Sequence, residues 1–110
     1  MNSIILELSA VEDKIIDNTG MYSFKIYKKL SEILEIEKKE DLRVSNIFGE
    51  FFNQMIKLEK DKKCRIRVVT KSQKVFSNLQ KRLFEIAVNK EKIIIGEGIF
   101  RLDGIVTKNN

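Results

Sequence analysis

A chain of 110 residues, 43% hydrophobic and 34% charged, has the length and balance of a single small globular domain, because two halves would each be too short to bury a core. No apolar run reaches the roughly 18 residues of a membrane span, and residues 1–9 are too short and too acidic for a signal peptide, so the sequence reads as cytoplasmic. A single cysteine, Cys64, and no histidine exclude an internal disulfide, a Cys/His zinc site and most hydrolase constellations.

Those exclusions lead to the expectation of a non-enzymatic domain with no cofactor and no metal. Asp13, Asp17, Asp41 and Glu50 are the carboxylates left over for a hard cation. The absence of proline and the richness in Lys, Ile, Asn and Glu fit the codon bias of an AT-rich bacterial or phage genome.

The formal charge of +5 is unevenly placed. Residues 1–55 hold seven Lys/Arg against ten Asp/Glu, and residues 56–110 hold fourteen against six. Most of the excess falls between Lys57 and Arg82, a stretch suited to acidic partners or phosphates.

Taken in chain order, residues 3–8 alternate Ile4, Leu6 and Leu8 with Glu7, the period of a half-buried strand, and residues 14–16 suggest a second one. Residues 18–20 carry turn and cap chemistry. After them Tyr22, Ile26, Leu30 and Ile33 recur at helical spacing over residues 21–33. Residues 41–44 read as extended.

Ser45 is placed as an N-cap of a second helix over residues 45–60, with Ile47, Phe48, Phe51, Phe52, Met55, Ile56 and Leu58 as its buried stripe. Residues 64–70 alternate Cys64, Ile66 and Val68 with Arg65 and Arg67, again a strand. Ser72 caps a third helix over residues 73–88, whose apolar face is Val75, Phe76, Leu79, Leu83 and Ile86. Residues 92–95 are a β-branched run, Gly96 and Gly98 bracket a turn, residues 99–102 form a short strand, and Asp103-Gly104 is a turn dipeptide before Ile105-Val106.

This order predicts an α/β domain with a single mixed sheet and about three helices, parallel strands being linked by right-handed crossovers. Arg65 and Arg67 require one sheet face to be wet, so the helices should gather mainly on the other. The Gly96-Glu97-Gly98 segment lacks the spacing of a phosphate-cradling loop, and Cys64 reads as an inert core residue.

The stretch Val44-Ser45-Asn46-Ile47-Phe48-Gly49-Glu50-Phe51-Phe52, followed by the strand at residues 64–70 and the helix at 75–84, resembles the STAS-like domains of anti-sigma-factor antagonists. The resemblance implies a regulatory domain that binds another protein through Ser45, Asn46, Phe48 and Gly49, with Ser45 the position at which phosphate would be placed. The alternative is a basic nucleic-acid-binding or phage-encoded accessory or inhibitor protein that uses residues 57–82, above all Lys62, Lys63, Arg65, Arg67, Lys71 and Lys74.

Overall fold

The computed structural model describes residues 2–17, 22–34, 42–45, 51–52 and 55–108. Its strands are β1 (Asn2–Ala10), β2 (Lys14–Asp17), β3 (Arg43–Val44), β4 (Phe51–Phe52), β5 (Met55–Leu58), β6 (Lys63–Thr70), β7 (Lys92–Ile95) and β8 (Gly98–Lys108). The helices among the described residues are α1 (Tyr22–Leu34) and α2 (Gln73–Val88).

Five strands form one sheet in the order β3-β6-β1-β8-β7, and every ladder in it is antiparallel. The helical crossovers carry the chain past intervening strands: α1 lies on the connection from β1 to β3, which flank β6, and α2 leads from β6 to the edge strand β7, whose hairpin brings β8 back beside β1. This is the split β-α-β arrangement of ferredoxin-like folds, with β7 added at one edge. The expected parallel pairs therefore have no adjacent partners. The single mixed sheet is corrected to an antiparallel sheet of five strands beside a smaller one, β2-β5-β4.

Alternation assigns the faces. Ile4, Leu6, Leu8 and Ala10 of β1, Cys64, Ile66 and Val68 of β6, and Phe100 and Leu102 of β8 are all buried toward the helices. α1 supplies Tyr22, Ile26 and Leu30 to that core, and α2 supplies Val75, Phe76, Leu79, Leu83 and Ile86. α2 begins as its sequence dictates, with the Ser72 hydroxyl accepting the Val75 N–H at 3.2 Å. The Tyr22 hydroxyl donates to the Ile95 carbonyl at 2.7 Å and ties α1 to β7.

The expected second helix is overturned. Phe51–Phe52 and Met55–Leu58 pair as antiparallel strands, and β5 pairs with β2, so the residues from 51 to 58 that are described belong to the small sheet. Their apolar positions fit helical periodicity and a short strand equally well, which periodicity alone cannot separate. Pairing with β2 decides the matter by turning Ile16 and Leu58 into the core. Ile47 and Phe48 lie outside the described residues, as do residues 18–20.

The expected turn at Asp103-Gly104 is also corrected. Gly98–Lys108 is one continuous strand, and Asp103 is an extra residue between the pairs Leu8↔Leu102 and Glu7↔Gly104, a β-bulge. The turn expected between Gly96 and Gly98 is present at Gly96-Glu97, with Gly96 at φ +57°, a left-handed value that glycine adopts without a side-chain clash.

Gly98 closes this corner by close approach. A Cβ placed there would lie 2.7 Å from the ring of the fully buried Phe100 and 2.9 Å from Ile16 Cδ1, neither of which has room to retreat. Gly98→Ala is expected to destabilise by about 1–3 kcal/mol. Gly104→Ala, whose nearest neighbour would be Glu7 Oε1 at 3.7 Å, should cost less, as compared by urea unfolding midpoints.

Candidate nucleic-acid interface

The face of the large sheet opposite the helices carries the odd-numbered residues of β1 and β6. Strand pairing sets them in rows, because residues directly opposite one another project to the same side. Arg65 stands beside Glu7, Arg67 beside Ile5 and then Val106, and Lys63 beside Ser9, Arg101 and Lys92. Arg43 pairs with Val69, and Ser3 lies between Val69 and Lys108.

Among the described residues this face presents seven cationic side chains, Arg43, Lys63, Arg65, Arg67, Lys92, Arg101 and Lys108, against the carboxylates Glu7 and Asp103. All seven cations are exposed. The described apolar residues among them are aliphatic: Ile5, Val69 and Ile99 are half-buried, and Val106 and Ile94 are open to solvent.

The charges are not equivalent. Arg101 Nε donates to Asp103 Oδ1 at 2.9 Å, its Nη1 lies 3.7 Å from Asp61, and the Ser9 hydroxyl donates to the other Asp103 oxygen. Partial burial pushes the Asp103 carboxyl up. The hydrogen bonds from Ser9 and Arg101, with the charges of Arg101 and Lys63, outweigh it and hold the carboxyl below its ordinary value. The Arg101 guanidinium is raised chiefly by its hydrogen bond to that carboxylate. Arg43, Arg65 and Arg67 make no ion pair with a described residue, so their charge remains available to a ligand.

The expected basic patch is thus divided by the fold. Lys63, Arg65 and Arg67 project together from β6. Lys62 precedes that strand, Lys71 follows it, and Lys74 belongs to the first turn of α2 in the other layer. Arg43, Arg101 and Lys108 join the patch from strands distant in sequence. Their alternation with Phe100 and Leu102 was the one available signal for Arg101, and the presumed turn at Asp103-Gly104 concealed it.

Ser45 does not cap a helix over residues 51–58, which are strands where described. Its N–H donates to the Arg67 carbonyl at 2.9 Å and its hydroxyl accepts the Arg67 N–H at 2.9 Å, extending β3 beside β6. Asn46, Phe48 and Gly49 lie outside the described residues. Of the carboxylates considered for a cation, Asp13 accepts the Lys60 N–H at 2.7 Å, and no metal-holding cluster of three or more ligands occurs among the described residues.

The other displaced groups lie in the core. Burial pushes the Cys64 thiol up to about 11 and the Tyr22 hydroxyl well above its ordinary value. Both stay protonated near neutrality, as packing residues do. No described helix is long and apolar enough to cross a membrane.

No family model and no curated protein sequence matches the chain. Solved structures do. A CRISPR-associated protein Cas6 superposes with a TM-score of 0.71 at 16% identity, over 99% of this chain and 49% of its own. An RAMP protein described as binding different RNA substrates gives 0.68 at 15% identity, over 99% and 49%. A Cas6-related protein from Pyrococcus furiosus gives 0.67 at 16%, over 98% and 48%.

The chain therefore spans about half the length of these structures, and what it shares with them is the fold. The neighbours are Cas6 and RAMP proteins rather than STAS-like domains, which overturns the STAS-like reading and, with it, the regulatory anti-sigma-antagonist role. The physical reason is in the strands: a split antiparallel sheet with β4 and β5 replaces the helix on which that resemblance rested.

The Asp103 contacts have a consequence for acid stability. Because the folded carboxyl titrates below its unfolded value of ~3.9, the ionised pair stabilises the fold above that pH and loses its contribution as pH falls through the folded pKa. Asp103→Asn should lower the melting temperature at pH 7, and melting curves of the two proteins should converge as acid titrates the carboxyl.

Proposed function

We propose that this chain is an RNA-binding domain that holds the phosphate backbone against the uncovered face of its five-stranded sheet, and that it binds without catalysing. The observation that carries this reading is the convergence of Arg43, Arg65 and Arg67, unpaired among the described residues, on one exposed sheet face from two strands. Phosphate contacts of this kind supply affinity through counterion release and fix the ligand's position without reading its sequence.

The fold neighbours support RNA as the ligand, one of them being described as binding different RNA substrates. The absence of histidine supports a binding rather than a catalytic role, because the commonest acid–base group near neutral pH is missing. This is the nucleic-acid reading of the basic stretch, moved from residues 57–82 as a whole to the part of it that faces out from β6.

Titration of a labelled RNA hairpin with a single-stranded flank, followed by fluorescence anisotropy, tests the proposal. Three phosphate contacts should make affinity fall roughly 20- to 40-fold between about 50 and about 200 mM salt. The combined Arg43→Gln, Arg65→Gln and Arg67→Gln variant, folded as judged by circular dichroism, should lose both the binding and most of the salt dependence. Binding that survives these substitutions unchanged would place the ligand elsewhere on the molecule.

A further inference from the structure

We infer that the ligand held on this face is a single extended RNA strand running lengthwise along β6, with consecutive phosphates on Lys63, Arg65, Arg67 and Arg43 and with its bases turned across β1. The inference rests on the RNA-binding reading and specifies the form of RNA that the site takes.

Spacing is the first argument. Lys63, Arg65 and Arg67 are alternate residues of one strand, so their side chains leave the same face at intervals of about 6.6–6.8 Å. That interval is comparable with the separation of consecutive phosphates along an extended single strand. Arg43 continues the line: it pairs with Val69, the next outward position of β6, and stands one strand's width of about 4.8 Å to the side, within reach of an arginine.

A duplex does not fit this line equally well. Its phosphates wind around a rod, so they curve away from a straight row of cations after one or two contacts.

Charge sets the orientation of the strand. Glu7, exposed on β1 directly beside Arg65, repels phosphate from the β1 side and confines it to β6 and β3. Across β1, Ile5 and Val106 lie in the same row as Arg67 and offer an aliphatic floor to a base. Beyond them Arg101 is already engaged by Asp103 and Asp61 and adds little free charge. No outward position of β1, β3, β6, β7 or β8 is aromatic, so bases over these strands meet aliphatic surface rather than a stacking platform, and affinity should depend little on base identity.

The test measures the 110-residue chain against oligouridine and oligoadenine of about 12 nucleotides and an RNA duplex of about 12 base pairs, by anisotropy over a salt series. The two single strands should bind within about threefold of each other and the duplex about tenfold or more weaker. The slope of log affinity against log salt for a single strand should be about −2.8 for four contacts, and Arg65→Gln should reduce it by about 0.7. Lys81→Gln, on the exposed side of α2 in the helical layer, should leave the slope unchanged.

Duplex binding as tight as single-strand binding, a preference above about tenfold between the two oligonucleotides, or a slope indifferent to Arg65→Gln would overturn this path while leaving RNA binding intact. Failure to bind any of the three RNAs would overturn the RNA-binding reading itself.

Discussion

The position of β1, hydrogen-bonded along its length between β6 and β8, is the constraint on which the rest of the molecule depends. Its register fixes both faces at once. Ile4, Leu6, Leu8 and Ala10 align with Val68, Ile66, Cys64 and the inward residues of β8 under the helices, while Glu7 and Ile5 align with Arg65 and Arg67 outside. A slip of one residue would drive Glu7 into the core and expose three aliphatic side chains, so hydrophobic burial enforces the arrangement of charge on the other side.

The bulge at Asp103 belongs to the same logic. The extra residue in this eleven-residue strand bends it locally and increases its twist against β1, while Leu102 and Ile105 stay directed inward. The bulged residue is then put to use. Its carboxylate receives Ser9, which is fully buried although it lies on the outer side of β1, and Arg101, so one end of the sheet face is neutralised while the β6–β3 end keeps its cations. The field of the face is therefore asymmetric, which matters more for an anionic ligand than the net charge of +5.

The likeness to Cas6 and RAMP structures extends over nearly the whole chain at 15–16% identity. At that identity the same split sheet is being built from different side chains, and function has to be argued from the residues that the sheet presents. Here they are arginines and aliphatics on an uncovered antiparallel face, the surface on which the RNA-binding proposal rests.

The sequence by itself determined the elements with strong periodicity. β1, β6, α1 and α2 lie within a residue or two of where the alternation of Ile4, Leu6 and Leu8, the Cys64–Ile66–Val68 pattern and the Ser72 cap place them, and the wet sheet face follows from Arg65 and Arg67 alone. Those signals are local, generated by solvent on one side of an element and core on the other. Only tertiary structure decided the rest. Residues 51–58 satisfy two periods, and β2 selected the strand; Asp103-Gly104 has turn chemistry, and pairing with Glu7 and Leu8 made it a bulge. The site itself required Arg43 of β3 to meet Lys63, Arg65 and Arg67 of β6. Which residues share a sheet face depends on strand order and register, and these are set by long-range pairing that no single stretch of sequence contains.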